Sequence, residues 1–490
     1  MSSMASFSGN GRGGFAPRRG RGRGGRVPHF SKPREQVKPD INKHPLGKLV
    51  KTFSILDLKV GSGQALPDTE ISDCQYVASY NWLNSQNPTI VVPGRPPQWT
   101  PLQTPRRLDE DSGRYFRDPN AAKFPEYPMV SVVRAILEAQ PEYPTEDIDL
   151  FACGSTLGNL LRFARGIDKA FRFTIEIIQN TIFFVRKEND PREIIEGIHG
   201  FGHTFPEAYT TWEQDVKGSD SHQRIVRYKF GGLECLVRFE SDGYIKGPST
   251  NRDRSGKSIP EEEDLAQALQ DVTVSTSSAV KCGTPNDLIL KQGGSEVPQG
   301  SIFDLKTRSG KYKKDIDMGD IYPQLWLKQI PNFIVAYHDG AGLFQDIRVQ
   351  DVKDGVRGWT KDNVDGIRRF AELLNKIMGV AKNSQESVLD VYCPGADRLE
   401  IREPCGIAPS ALPTELKSCW KGKGAHAPLT HEEFVALADD VEHRSNGSDD
   451  DFEYSSDHKP EYTFDVDSDD EPDYTACSAH DCGYCGKCSY

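Results

Sequence analysis

The sequence predicts a mixed α+β fold, with central twisted β-sheets flanked by helices, in one large domain between two polar tails. Three observations carry that prediction. Short runs rich in Ile, Val, Phe and Tyr recur through the middle of the chain and read as strands. Fewer stretches carry apolar residues at helical spacing, MVSVVRAILEAQ and TKDNVDGIRRFAELLNKIM most clearly. Most Trp, Phe, Ile and Val lie between Phe53 and Met378, a length that can bury a sizeable core.

In chain order, residues 1–44 form an Arg/Gly-rich arm. Its GNGRGGFAPRRGRGRGGR run cannot pack, because Gly maximises backbone entropy and Arg resists burial. Arg12, Arg18, Arg19, Arg21, Arg23 and Arg26 attract phosphates there, and Phe15 and the guanidinium planes are suited to stack on bases. The alternatives are a solubilising tail or a targeting signal. Residues 45–430 form the domain. FSILDLKV and TIVVPG read as strands, and FRFTIEII and TIFFV as a hairpin turning at Gln-Asn. RIVRYKFGG and LECLVRFESDGYI form a second strand pair. An insert at about 247–300 is dense in Ser, Gly, Pro and charge, with PEEEDLAQALQD as a short helix. SIFDLKTR is a strand, DIYPQLWLKQI a short helix, and NFIVAYHDG a strand. In the long helix that follows, Thr360 is the expected N-cap and Val364, Ile367, Phe370, Leu374 and Ile377 share a face. SVLDVY and RLEIRE close the domain. Residues 431–476 are an acidic linker and 477–490 a Cys-rich tail.

The 36% hydrophobic content and mean hydropathy of -0.58 place part of the length outside any core. The net charge of -12 is segregated: the Arg-rich start has no acidic residue before Glu35, and acids crowd Glu432 to Asp473. Of eleven cysteines, Cys74, Cys153, Cys235, Cys282, Cys393, Cys405 and Cys419 are scattered singly, which fits reduced structural thiols. No apolar leader opens the chain and no apolar run of about 18 residues exists. Secretion and a membrane span are therefore not expected, which leaves the nucleus or cytoplasm.

Two strands and a helix carry the candidate chemistry. Glu240 and Asp242 stand two apart at the end of one strand, and Asp304 and Lys306 two apart on another, so each pair is expected to share a face. Carboxylates from neighbouring strands suit one or two hard divalent cations, Mg²⁺ or Mn²⁺, which demand several oxygen ligands. A lysine two positions beyond such an aspartate can orient water or neutralise charge on a phosphoryl group. Asp-x-Lys alone is a solvated strand face. Glu-x-Asp before it and Gln324 on a following helix make it a nuclease constellation.

The order of these motifs resembles the decapping exoribonucleases, the DXO family, whose core is of the PD-(D/E)XK nuclease type. FGHTFPEAY supplies Gly202, His203 and Glu207 at the spacing of the family's Gly-to-Glu motif. Glu240-Ser241-Asp242 matches its Glu-x-Asp. Asp304-Leu305-Lys306 matches its Glu-x-Lys with the shorter acid. QLWLKQIPNFIVAYHDG follows its helix-Pro-strand layout, with Gln324 and Pro331 in the matching places. The resemblance covers roughly residues 50 to 380. It implies that Glu207, Glu240, Asp242 and Asp304 bind Mg²⁺ or Mn²⁺, and that Lys306 and Gln324 position water and the scissile phosphate. It also implies hydrolysis of incompletely or abnormally capped RNA 5′ ends, including NAD-capped ones, with 5′-to-3′ degradation in some members. The chain departs from the pattern in its insert and in DIDLFACGSTLGNLLRF. There Cys153, Gly154 and Ser155 stand where the family has an arginine, with Arg162 and Arg165 as candidate substitutes.

Cys477, Cys482, Cys485 and Cys488, with His480 among them, suit a tetrahedral Zn²⁺ site; a redox pair, an iron–sulfur ligand set or unliganded thiols are the alternatives. DVDSDDEPD is not read as a prenyl-diphosphate-synthase motif, since it lies among Ser and Pro in a tail rather than on a helix. That acidic stretch suits a basic protein partner or competition for the Arg-rich arm. The expected function is metal-dependent hydrolysis at RNA 5′ ends, with single-stranded RNA as partner and a nuclear exoribonuclease as a further candidate partner. The alternatives are a DNA-directed PD-(D/E)XK nuclease and a catalytically weakened RNA-binding or scaffolding protein. The composition and the resemblance favour the nucleus.

Overall fold

The computed structural model describes residues 38–420 apart from 59–68, 196–197, 199, 248–287, 311–314, 396 and 407–408. The Arg/Gly arm through Arg26, the PEEEDLAQALQD helix, the acidic linker and the four terminal cysteines lie outside the described residues.

The first elements are β1 (Leu49–Phe53), β2 (Ser72–Leu83), β3 (Thr89–Gly94), β4 (Gln98–Trp99), α1 (Pro119–Lys123), α2 (Val130–Ala139), β5 (Leu150–Cys153) and α3 (Gly154–Ala164). Then come β6 (Phe171–Ile178), β7 (Thr181–Arg186), α4 (Thr204–Tyr209), β8 (Thr210–Thr211), β9 (Ser219–Phe230), β10 (Leu233–Glu240) and β11 (Gly243–Tyr244). β12 (Ile289–Gly294), β13 (Ile302–Ser309), α5 (Met318–Lys328), β14 (Asn332–His338) and β15 (Phe344–Asp351) follow. α6 (Lys353–Asp362), α7 (Val364–Lys382), β16 (Val388–Gly395), β17 (Arg398–Arg402) and α8 (Thr414–Cys419) complete the described chain. No described helix is long and apolar enough to cross a membrane.

An 11-stranded sheet runs β1-β17-β16-β6-β7-β5-β10-β9-β2-β3-β12, and a 6-stranded sheet runs β15-β14-β13-β11-β4-β8. Strand alternation assigns the layers. Cys235, Val237 and Phe239 of β10 and Leu150 and Ala152 of β5 enter one apolar layer, together with Ile302, Phe333 and Val335 of the second sheet. α3, α5 and α7 contribute Leu160, Leu325 and Phe370 to the same layer. Leu236 of β10 and Phe151 of β5 face a second cluster with α2, and Phe303 and Leu305 of β13 a third with Phe205 and Tyr209 of α4. The central layer is thus shared by both sheets.

The predicted α+β class and most predicted elements are present, including the hairpin, whose Gln179 adopts φ 56 as a tight turn demands. Four details differ. FSILDLKV is only the end of β1, followed by a short 3₁₀ turn at Leu56–Leu58. Thr360 does not cap α7. It lies inside α6 with its hydroxyl donating to Arg357 O at 2.9 Å, and the break falls at Asn363. The insert contributes a strand, β12, parallel to β3 with Ile289 opposite Thr89. Cys419 is disulfide-bonded, against the expectation of reduced thiols, whereas Cys74, Cys153, Cys235, Cys393 and Cys405 are free.

Two buried polar contacts tie the strands beside the site. The Arg172 guanidinium of β6 donates to both oxygens of Asp390 on β16, and to His44 O at 2.6 Å, which anchors the incoming segment. Replacing Asp390 with Ala leaves that guanidinium buried without its carboxylate and should cost about 3–5 kcal/mol in urea unfolding; a loss under about 1 kcal/mol would contradict the assignment. His222 of β9 donates from Nδ1 to Asn81 Oδ1 at 2.7 Å, and burial, aided by Arg224, holds its pKa well below 6.5. Unfolding lets His222 take up a proton, so its contribution is complete above about pH 6.5 and shrinks as pH falls, by about 1.4 kcal/mol per unit. A His222→Gln variant should show a shallower acid loss of stability than the wild type between pH 7.5 and 5.5; equal slopes would contradict this.

Candidate active site

β5, β7 and β10 are neighbours and parallel, with Ala152 opposite Phe184 and Arg238 opposite Cys153. Their carboxyl ends bring Cys153, Arg186 and Glu240 to one edge of the sheet, where ligands of open α/β sheets bind. From Glu240 the chain crosses to the second sheet: β11 pairs with β13, setting Gly243 opposite Phe303. The crossing segment carries Asp242 to Asp304.

Asp304 and Lys306 do share a face of β13, the face of Ile302 that enters the central layer, and their charged ends are 3.5 Å apart. Glu240 and Asp242 do not share a face, because β10 ends at Glu240 and the strand period stops there. Asp242 Oδ2 instead accepts the Leu305 N–H at 2.5 Å, and its carboxyl hydrogen-bonds to Asp304. Glu240 Oε2 accepts from Gln223 Nε2 at 3.2 Å.

The residue that joins these acids is Lys328, at the end of α5. It is fully buried, and its ammonium lies 2.8 Å from Asp304 Oδ2. Burial opposes ionisation of Asp304, but Lys328 and Lys306 outweigh it and hold that carboxyl below its usual range. Burial, then the charge of Asp304, push the Asp242 carboxyl well up. Of the pair, Asp242 is the acid that holds a proton the more readily. Burial and Asp220 push Glu240 up to about 7 against the Gln223 amide, which suits it to exchange a proton near neutral pH. Asp304 Oδ1 is buried and, among the described residues, accepts no hydrogen bond.

Gln324 is buried on α5 one turn before Lys328, and with Arg162 and Arg165 it lines a small cavity. Arg165 also lies 5.4 Å over the Trp359 ring. In the place left by the absent arginine, Arg186 and Arg238 from the flanking strands line a cavity with Cys153. Beyond them an open cleft is lined by Lys38, Arg117, Lys169, Arg172, Arg186 and Lys187, with Glu188 among them and Thr156 and Asn159 of α3.

Glu207 is not brought to the carboxylates. It is exposed on α4, whose Phe205 packs on the face of β13 that holds Phe303 and Leu305, opposite Asp304 and Lys306. Its expected place in the metal site is therefore corrected by strand parity. His203 stacks on Tyr115 and donates from Nδ1 to Asp111 Oδ2 at 3.0 Å, and Trp326 and Phe333 are buried in the core. Among the described residues, no group of three or more His, Cys, Asp and Glu side chains is arranged to hold a metal ion. The donor chemistry of Glu240, Asp242 and Asp304 is nevertheless that of hard-cation ligands, and Asp304 Oδ1 is a buried oxygen that accepts no hydrogen bond among the described residues.

Lys328 and the basic cavity were missed because a lysine in QLWLKQI and scattered Arg and Lys residues carry no local signal; only tertiary packing buries or gathers them. The shared proton gives opposite outcomes for two isosteric changes. Asp242→Asn reproduces a donor to Asp304 and an acceptor for Leu305 N–H, so stability should change by less than about 1 kcal/mol. Asp304→Asn removes the buried partner of Lys328 and should cost about 3–5 kcal/mol. Chemical denaturation of both variants checks this, and an equal loss in the two would contradict it.

Several solved structures are similar to this chain. Rai1 of S. pombe in complex with 3′-FADP is 13% identical, covering 72% of this chain and 99% of that chain at a TM-score of 0.45. Rai1 of Candida albicans in complex with pU5-Mn²⁺ is 9% identical, covering 76% and 99% at 0.46. Dxo1 of K. lactis in complex with manganese is 8% identical, covering 73% and 98% at 0.41. Rai1 and Dxo1 are members of the decapping-exonuclease family that the motif order resembles. No curated protein matches. The model of a domain-of-unknown-function family, DUF8563, matches residues 58–420, and the chain belongs to that family.

Proposed function

We propose that this chain is a hydrolase of RNA 5′ ends that works with Mg²⁺ or Mn²⁺. The observation that carries the reading is the meeting of Asp242, Asp304 and Lys306 where the chain crosses between sheets, directly after Glu240 at the carboxyl end of β10, the strand edge that also gathers Arg186 and the cleft behind it. Glu240, Asp242 and Asp304 would hold the ion, which would polarise phosphoryl oxygens and favour ionisation of a water. Lys306, two residues from Asp304 on the same face, neutralises charge that develops on the phosphorus oxygens. Gln324 orients the reacting group from α5. Arg117, Lys169, Arg186 and Lys187 attract the chain of phosphates behind the reacting end.

A second reading, an RNA 5′-end-binding protein with weak turnover, is favoured by the ion pair that already engages Asp304 through Lys328. The same experiment separates the two. End-labelled single-stranded RNAs bearing monophosphate, triphosphate, unmethylated cap or NAD are incubated with Mn²⁺, beside a duplex DNA control. End-selective cleavage, reduced about a hundredfold or more in Lys306→Ala, is expected for the hydrolase. Tight RNA binding without cleavage would establish the binding protein, and cleavage of the duplex control alone would overturn both.

A further inference from the structure

We propose that the Lys328 ammonium is a built-in cation of this site, seated on the Asp304 oxygen that a divalent ion would need, so that the chain's own lysine competes with the metal. The inference rests on the metal-dependent reading above and concerns only how the ion is admitted. Two observations support it. Lys328 has no solvent exposure, yet its ammonium lies 2.8 Å from the Asp304 carboxylate on β13. Its surroundings are close-packed: a Cβ added at Gly154, the first residue of α3, would lie 3.7 Å from Lys328 Cγ, and the backbone carbonyl of Lys328 accepts from Gln299 Nε2 at 3.2 Å.

An ammonium so placed cannot retreat into water, and moving it off Asp304 leaves a buried charge without its partner. A divalent ion meets a like charge at both Asp304 oxygens, Lys328 at 2.8 Å from Oδ2 and Lys306 at 3.5 Å from Oδ1. The site therefore keeps Asp304 paired and in place without metal, and binds metal weakly until the lysine yields.

Mn²⁺ binding to the full chain, followed by calorimetry and by the electron paramagnetic resonance of free Mn²⁺, tests this. Lys328→Gln should bind Mn²⁺ at least about tenfold more tightly than the wild type, and Lys328→Arg about as the wild type does. Equal or weaker binding by a folded Lys328→Gln overturns the proposal. A measurement on the wild type covers a variant that fails to fold. On Mg²⁺ titration the Lys328 ¹⁵Nζ resonance should move in step with ion occupancy as the ammonium is displaced. Saturation of the carboxylates by Mg²⁺ with that resonance unmoved overturns it. RNA cleavage measured alongside keeps the two readings apart. Tighter Mn²⁺ binding by the variant with no cleavage by either form supports the lysine role and sinks the hydrolase, whereas cleavage with unchanged Mn²⁺ affinity does the reverse.

Discussion

The Asp304–Lys328 ion pair is the constraint around which the centre of this molecule is organised. Both side chains point into an apolar layer shared by two sheets and three helices, where neither charge would be tolerated alone. The pair fixes α5 against β13, and α5 in turn carries Gln324. The neighbouring acids adjust to it: two lysines hold the Asp304 carboxyl down, and burial and Asp304 push the Asp242 carboxyl up while it caps a backbone N–H. An ion pair in such a place is weak evidence for stability, since a well-packed apolar pair can serve that end as well. Its retention is better explained by the site it organises.

The site also depends on a change of sheet. Residues between β10 and β11 leave the larger sheet and join the smaller, and in doing so they deliver Asp242 to Asp304. The larger sheet supplies the other half, the aligned carboxyl ends of β5, β7 and β10, with positive side chains behind them. An acidic cluster beside a cleft lined mainly by Arg and Lys is the arrangement the proposed hydrolysis asks for, with an end that reacts and following phosphates that are held.

Much of this was legible in the sequence where a local period decides the outcome. SIFDLKTR and NFIVAYHDG are strands because alternating apolar residues serve two buried faces, and Asp304 and Lys306 share a face for that reason. Legibility ended where tertiary placement decides. Glu240-Ser241-Asp242 has strand spacing, but the strand stops at Glu240. Glu207 has the right distance from Gly202, but the parity of β13 puts its helix on the wrong side. β12 is a polar edge strand, KQGG included, with no apolar alternation to betray it. Nothing in QLWLKQI marks Lys328 as a buried charge; only the packing of the fold around α5 buries it.

The most direct test of the account is a crystal structure of the chain with a 5′-phosphorylated oligoribonucleotide and Mn²⁺, with the ion located by its anomalous scattering. The account predicts the 5′ phosphate beside Lys306, ion density against Asp304, and the following phosphates leading toward Arg186 and Lys187. An oligonucleotide bound elsewhere, with neither ion nor phosphate near Lys306, would contradict it.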